Sequence, residues 1–127
     1  MQAAAAQAPL KIDPNAFGMR AIVMFAFASA GRWKDVDEQH RQAIRDNSNS
    51  PNYVEAFSGV ISGDLDAALL ATERGVRAKE PQFLTVGLSC EPMLSPLRTR
   101  PRFVALVREL GATMCPPLER WPIKPRP

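Results

Sequence analysis

The least polar part of the chain is "AIVMFAFASAG", residues 21–31, which carries no charge and is bracketed by Arg20 and Arg32. Such a segment must lie against lipid, a protein core or a partner. At about 1.5 Å per residue it reaches roughly 16 Å, about half of a hydrocarbon core, which excludes a membrane span. "DPN" at 13–15 starts a helix: Asp13 can cap it and Pro14 suits its first position. Gly31 ends it, so the pattern predicts a helix from about 14 to 30. A second helix, about 32–46, places Trp33, Val36, His40, Ala43 and Ile44 along one stripe. Its other face carries Lys34, Asp35, Asp37, Glu38, Arg41 and Arg45.

"DNSNSPN" at 46–52 is a turn, and "PNYVEAFSGVIS" predicts a third helix over 51–62. "GD" at 63–64 breaks the chain before a fourth helix, 64–79, whose stripe is Leu65, Ala68, Leu69, Thr72 and Val76. A short apolar piece, "QFLTVGLS", follows Glu80-Pro81, and Pro92, Pro96 and Pro101 punctuate the next stretch. A last helix, 101–111, turns Phe103, Leu106, Val107 and Leu110 inward. No strand is expected, so the fold class is all-α. Residues 1–12 are alanine-rich and interrupted by Pro9, giving a partial helix or a flexible segment before a helical domain at 13–111. Residues 112–127, ending "PPLERWPIKPRP", read as an extended, solvated, basic tail.

Two units of this pattern overlay. "MFAFASAGRWKDVDEQHRQAI" (24–44) aligns with "AFSGVISGDLDAALLATERGV" (56–76), pairing Gly31 with Gly63, Trp33 with Leu65, Val36 with Ala68 and Ala43 with Gly75. A helix–turn–helix unit repeating near 34 residues is the mark of tetratricopeptide repeats. The chain resembles the tetratricopeptide (TPR) family over roughly residues 13–81. "CEPMLSPLRTRPRFVALVRELG" (90–111) resembles the closing segment of TPR arrays in bacterial signalling proteins, such as winged-helix transcription regulators and class III adenylate cyclases. That segment often reads Asp-Pro-x-(Leu/Phe)-Asp-Pro-Leu-Arg-x-Asp-Pro-Arg-Phe. Here Glu91, Ser95 and Arg100 replace the acids, while the Pro92, Pro96-Leu97-Arg98 and Pro101-Arg102-Phe103 frame is intact.

The resemblance implies a short TPR-like α-solenoid: two helix–turn–helix units, a partial N-terminal helix and a closing helical cap. It implies a scaffolding or protein-interaction module of a bacterial signalling system. TPR arrays bind peptides along the face formed by their first helices. Mapped onto this chain, that face is Ala21, Phe25, Ala28, Ser29, Tyr53, Phe57, Val60 and Ile61, an apolar groove for a protein or peptide partner. A short solenoid without polar end caps also leaves apolar faces open, which makes self-association into a dimer a second expectation.

Composition narrows the classes. The chain has 127 residues, 46% hydrophobic and 23% charged, suiting one globular domain and excluding wholesale disorder. Cys90 and Cys115 are too few for a disulfide scaffold and lack metal spacing; two free thiols in a reducing compartment, the cytoplasm, are the expectation, and a single disulfide between them is the alternative. Residues 1–16 lack the basic start of a signal peptide, and no membrane insertion is expected. From Arg98 onward there are seven basic residues against two acids, although the whole chain is only +3. Arg98, Arg100, Arg102 and Arg108 therefore form a candidate basic patch, and a nucleic-acid-associated role is the alternative reading. The resemblance instead implies that Arg98 and Arg102 bind helix carbonyls or acids of the preceding repeat.

Catalytic chemistry finds little footing. His40, the one histidine, would need a positioned partner to act as a base. Asp35, Asp37 and Glu38 straddle a solvated helix face, and "GDLD" at 63–66 lacks the further ligands of a calcium loop. There is no GxSxG context and no glycine-rich phosphate loop. No enzyme, cofactor or metal is expected; a small-ligand pocket near His40 or Cys90 is the last alternative. "PIKPRP" also has the look of a polyproline ligand.

Overall fold

A computed structural model describes residues 17–81, 83 and 90–127, with side chains of the first helix from Arg20 onward. Residues 1–12, the expected cap at Asp13 and most of "QFLTVGLS" lie outside the described residues. The elements are α1 (Phe17–Ser29), α2 (Trp33–Asp46), α3 (Pro51–Ser62), α4 (Leu65–Arg77), a 3-10 helix (Pro92–Thr99) and α5 (Pro101–Glu109). No strand occurs among the described residues.

The two hairpins, α1–α2 and α3–α4, close in the same way. Gly31 and Gly63 both adopt left-handed backbone, φ 75° and 81°, which side chains with a Cβ resist. Arg32 N–H reaches back to the Phe27 carbonyl and Asp64 N–H to the Gly59 carbonyl, both at 2.8 Å. Gly31 N–H donates to Ala28 and Gly63 N–H to Val60, at 3.0 and 3.1 Å. This is the paired bonding that satisfies the last carbonyls of a helix. It recurs at an offset of 32 residues, and α2 and α4 start at the same offset.

α3 is the central helix. Its Tyr53, Val54, Ala56, Phe57, Val60 and Ile61 are all buried. It packs most closely on α4, and also meets the 3-10 helix, α1 and α2. The 3-10 helix forms where Pro92 and Pro96 predicted only punctuation, and it buries Leu94 and Leu97. α5 adds Phe103 and Val107 to the core. Leu110, expected to face inward, is 44% exposed, because α5 stops at Glu109 and Gly111 turns the chain away. Late in α4, Gly75 is buried so closely that a Cβ there would lie 2.0 Å from the Phe83 ring. A small residue at this point makes room for the Phe83 ring against the helix.

Two buried polar contacts tie the layers together. Arg20 of α1 is 6% exposed and reaches α2, donating to Gln39 at 3.0 Å, Gln42 at 2.8 Å and Asp46 at 2.6 Å. That contact holds the Asp46 carboxyl below its ordinary range. Glu80, 5% exposed, caps α3 from beyond the end of α4: its carboxylate accepts from Asn52 N–H at 3.2 Å and Tyr53 N–H at 2.9 Å. A carboxylate suits that end of a helix, where free N–H groups and the helix dipole both favour negative charge. Ser50, the local cap position, makes no side-chain cap bond.

The cysteines are not free thiols. Cys90 and Cys115 form a disulfide with Cα atoms 5.0 Å apart, correcting the expectation from their number. The physical reason is tertiary: the 3-10 helix and α5 fold back on each other and bring residues 25 apart in sequence together. Closing a loop of that length stabilises the fold by about 3 kcal/mol through the unfolded chain. The cap contact generates the first prediction. Glu80→Ala is expected to lower unfolding free energy by about 1–2 kcal/mol in urea titration, without loss of native helicity.

Candidate functional site: a cleft across the helix turns

Six of the eight groove residues predicted from the sequence are interior. Ala21, Ala28, Tyr53, Phe57, Val60 and Ile61 are each 7% exposed or less. Phe25 is half-buried, and Ser29 is exposed, its hydroxyl donating to the Phe25 carbonyl at 2.9 Å. The open apolar groove is therefore corrected to a filled one. α1 and the 3-10 helix lie on α3, and the C-terminal tail covers what they leave.

The tail is not a solvated appendage. It leaves the Cys90–Cys115 link and is first fixed by the 3-10 helix: Leu118 N–H donates to Ser95 Oγ at 2.6 Å, and Arg98 donates to the Pro116 carbonyl at 3.1 Å. Beyond that it runs extended, as its prolines dictate. Trp121 sets its edge on Phe25 of α1, ring centroids 5.5 Å apart at 86°. Ile123, 6% exposed, joins the core, and a cavity of about 170 Å³ remains between Trp121, Ile123, Lys124 and Pro125 of the tail and Val60, Ile61, Gly63, Leu65 and Pro96 of the helices. Arg126 closes the run: its guanidinium stacks 5.0 Å above the Trp33 ring and pairs both nitrogens with Asp37 of α2, at 2.8 and 2.7 Å. That pairing holds the Asp37 carboxyl below its ordinary value of 3.8 and raises the guanidinium's own affinity for its proton.

The cleft thus runs along the turns of the two hairpins, from Phe25 through Leu65 to Trp33. The side chain two positions after each turn glycine meets the tail: Trp33 lies under Arg126, and Leu65 borders the cavity beside Ile123. The sequence overlay pairs Trp33 with Leu65 as equivalent positions but does not connect them to the tail. The signal was present in "WPIKPRP", where two large apolar residues interrupt an otherwise polar and proline-rich end.

The basic patch is largely committed to the fold. Arg98 is 5% exposed, and burial lowers its hold on its proton; besides Pro116 it donates to the Glu91 carbonyl. Arg100 pairs with Asp66 at 3.1 Å and Arg102 with Glu73, both acids of α4. Arg108 is exposed on α5. Arg100 and Arg102 therefore hold the C-terminal cap against the second hairpin, and Arg98 holds the tail to the 3-10 helix.

His40 meets Glu55 of α3, Nε2 to Oε1 at 2.6 Å, at a half-exposed position. Beside Glu55 an open trough of about 410 Å³ is bounded by Ser58, Ser62, Ala67, Leu70 and Arg74. Among the described residues no group of three His, Cys, Asp or Glu side chains could hold a metal ion. No helix among them is long and apolar enough to cross a membrane. No family model matches the chain, and no curated protein or solved structure matches it.

Burial separates the two groove phenylalanines. Phe57→Asp places a charge in a site 3% exposed and is expected to abolish cooperative folding by circular dichroism. Phe25→Asp is expected to keep the helices and free the tail, seen as a red shift of tryptophan emission. Both tryptophans of the chain, Trp33 and Trp121, lie in the tail contact, so their emission reports it.

Acid gives a second readout. The Asp37 carboxyl titrates lower in the folded protein than in the unfolded chain, so its contact with Arg126 stabilises fully above pH 3.8. That contribution disappears as pH falls through the lowered value. Tryptophan emission of the wild type is expected to stay constant down to the ordinary aspartate range and shift red below it. Asp37→Asn is expected to start red-shifted and to lack that step.

Proposed function

We propose that the chain is a non-catalytic protein-interaction or scaffolding module, built as a short TPR-like α-solenoid and serving a bacterial signalling system. The observation that carries this reading is an extended segment of chain seated by its side chains across two like hairpins. The identical turn bonding at an offset of 32 residues supports the repeat character. The signalling context rests on the likeness of residues 90–111 to closing segments of TPR arrays. In place of the expected cytoplasmic setting, the Cys90–Cys115 disulfide favours an oxidising compartment.

Two measurements on the intact, oxidised chain test this. One is molar mass by light scattering over a wide concentration range. The other is selection of displayed peptides, with hydrogen exchange mapping where the selected peptides protect the chain. A concentration-dependent dimer, or a selected peptide that protects one surface, is the expected result. A monomer at every concentration that selects no peptide overturns the reading.

A further inference from the structure

The tail contact has a readable chemistry. Three side chains make it: Trp121 against Phe25, Ile123 buried in the core beside a cavity it shares with Val60, Ile61 and Leu65, and Arg126 on Trp33 and Asp37. Between them Pro122, Lys124 and Pro125 are exposed. Among the described residues no backbone hydrogen bond joins 119–127 to the helices. The segment is therefore held by side chains at three spaced positions rather than by pairing as an added strand. Its prolines pre-set the extended form and so reduce the ordering cost of the contact. None of these features requires that the segment belong to the same chain.

We propose that the cleft is a recognition site for an extended, proline-rich peptide of another protein, carrying an aromatic residue, a branched aliphatic two positions later and an arginine three beyond that. Residues 121–126 are its built-in occupant. The proposal rests on the reading of the chain as an interaction module and names the ligand of that module. Charge complementarity commits the site to this chemistry: Asp37 is matched by an arginine in a two-point contact, and the Trp33 face accepts the same cation. The aliphatic position is set by burial: Ile123 belongs to the core, and the helix residues that share its cavity, Val60, Ile61, Leu65 and Pro96, are apolar. The tethered tail competes with any incoming peptide at an effective concentration on the order of 1 mM, so the resting chain is self-masked.

The test uses the full, oxidised chain. Ile123→Asp with Arg126→Glu unseats the tail, and a fluorescein-labelled synthetic peptide of residues 117–127 is added in trans, read by anisotropy. The unseated variant, checked for helicity, is expected to bind the peptide at least ~10-fold more tightly than wild type, because the tethered competitor is gone. A peptide carrying the same two substitutions is expected to bind neither. Adding Asp37→Arg to the unseated variant is expected to abolish binding of the natural peptide and to restore it for a peptide with Arg126→Glu alone. If the double variant loses helicity, Arg126→Glu alone, at an exposed position, replaces it.

A helical, unseated variant that binds the peptide no better than wild type overturns the proposal, as does equal binding of the substituted peptide. A wild-type dimer lost on Arg126→Glu would instead give the cleft to the tail of a second copy. Should selected peptides protect a different surface, the cleft assignment fails while the interaction module stands. If those selections and the dimer test fail as well, both fall.

Discussion

α3 presents a broad apolar face, and the position of each other element follows from the need to cover it. Tyr53, Val54, Ala56, Phe57, Val60 and Ile61 spread over nearly half of the helix circumference, too wide a face for a single partner helix to bury. α4 takes one side through the close hairpin, α1 and α2 take another, and the 3-10 helix a third. What remains is a strip along the turns, which Trp121 and Ile123 of the tail cover. An extended chain is narrower than a helix, and a proline-rich one needs few backbone partners, which suits the tail to that strip. The hydrophobic requirement of one helix thereby accounts for the hairpins, the cap and the extended end together.

The polar contacts act on the same scaffold by fixing its angles. Arg20 sets α1 against α2, Glu80 holds the start of α3 to the end of α4, and Arg100 and Arg102 lock the cap to α4. Each joins elements that apolar packing alone would leave free to slide. The buried pair at Arg20 differs in kind from the exposed pairs of the cap. A guanidinium removed from water must be matched, whereas surface ion pairs contribute little individually.

Much of the local structure was legible in the sequence, because it depends on neighbours in sequence. Apolar stripes, Pro51 at a helix start and the glycines at 31 and 63 predict α2, α3 and α4 to within a few residues, since periodicity and turn chemistry are local. The stretch 21–31 misleads by degree. It is the least polar segment, yet Ile22 is 57% exposed and the less apolar α3 is the one enclosed. Hydrophobicity ranks segments, whereas burial depends on which of them the chain places in the middle. The disulfide, the cap from Glu80 and the seat of the tail were illegible for a shared reason. Each joins residues more than twenty positions apart through an arrangement that only the assembled helices define. The arginine cluster reads as a patch in one dimension and disperses in three, because successive arginines meet carbonyls or acids on different elements.

The link at Cys115 also fixes how this end of the molecule bears load. A pull on Pro127 would act first on Arg126, then Ile123, then Trp121, detaching side chains one after another as a zipper opens. At Cys115 the peeling meets a covalent stop. From there tension passes directly to Cys90, bypassing the 3-10 helix and α5, which sit inside the closed ring and carry none of the force. The end of the chain is thus mechanically soft for a dozen residues and abruptly stiff beyond them, so the tail can be withdrawn while the cap stays folded.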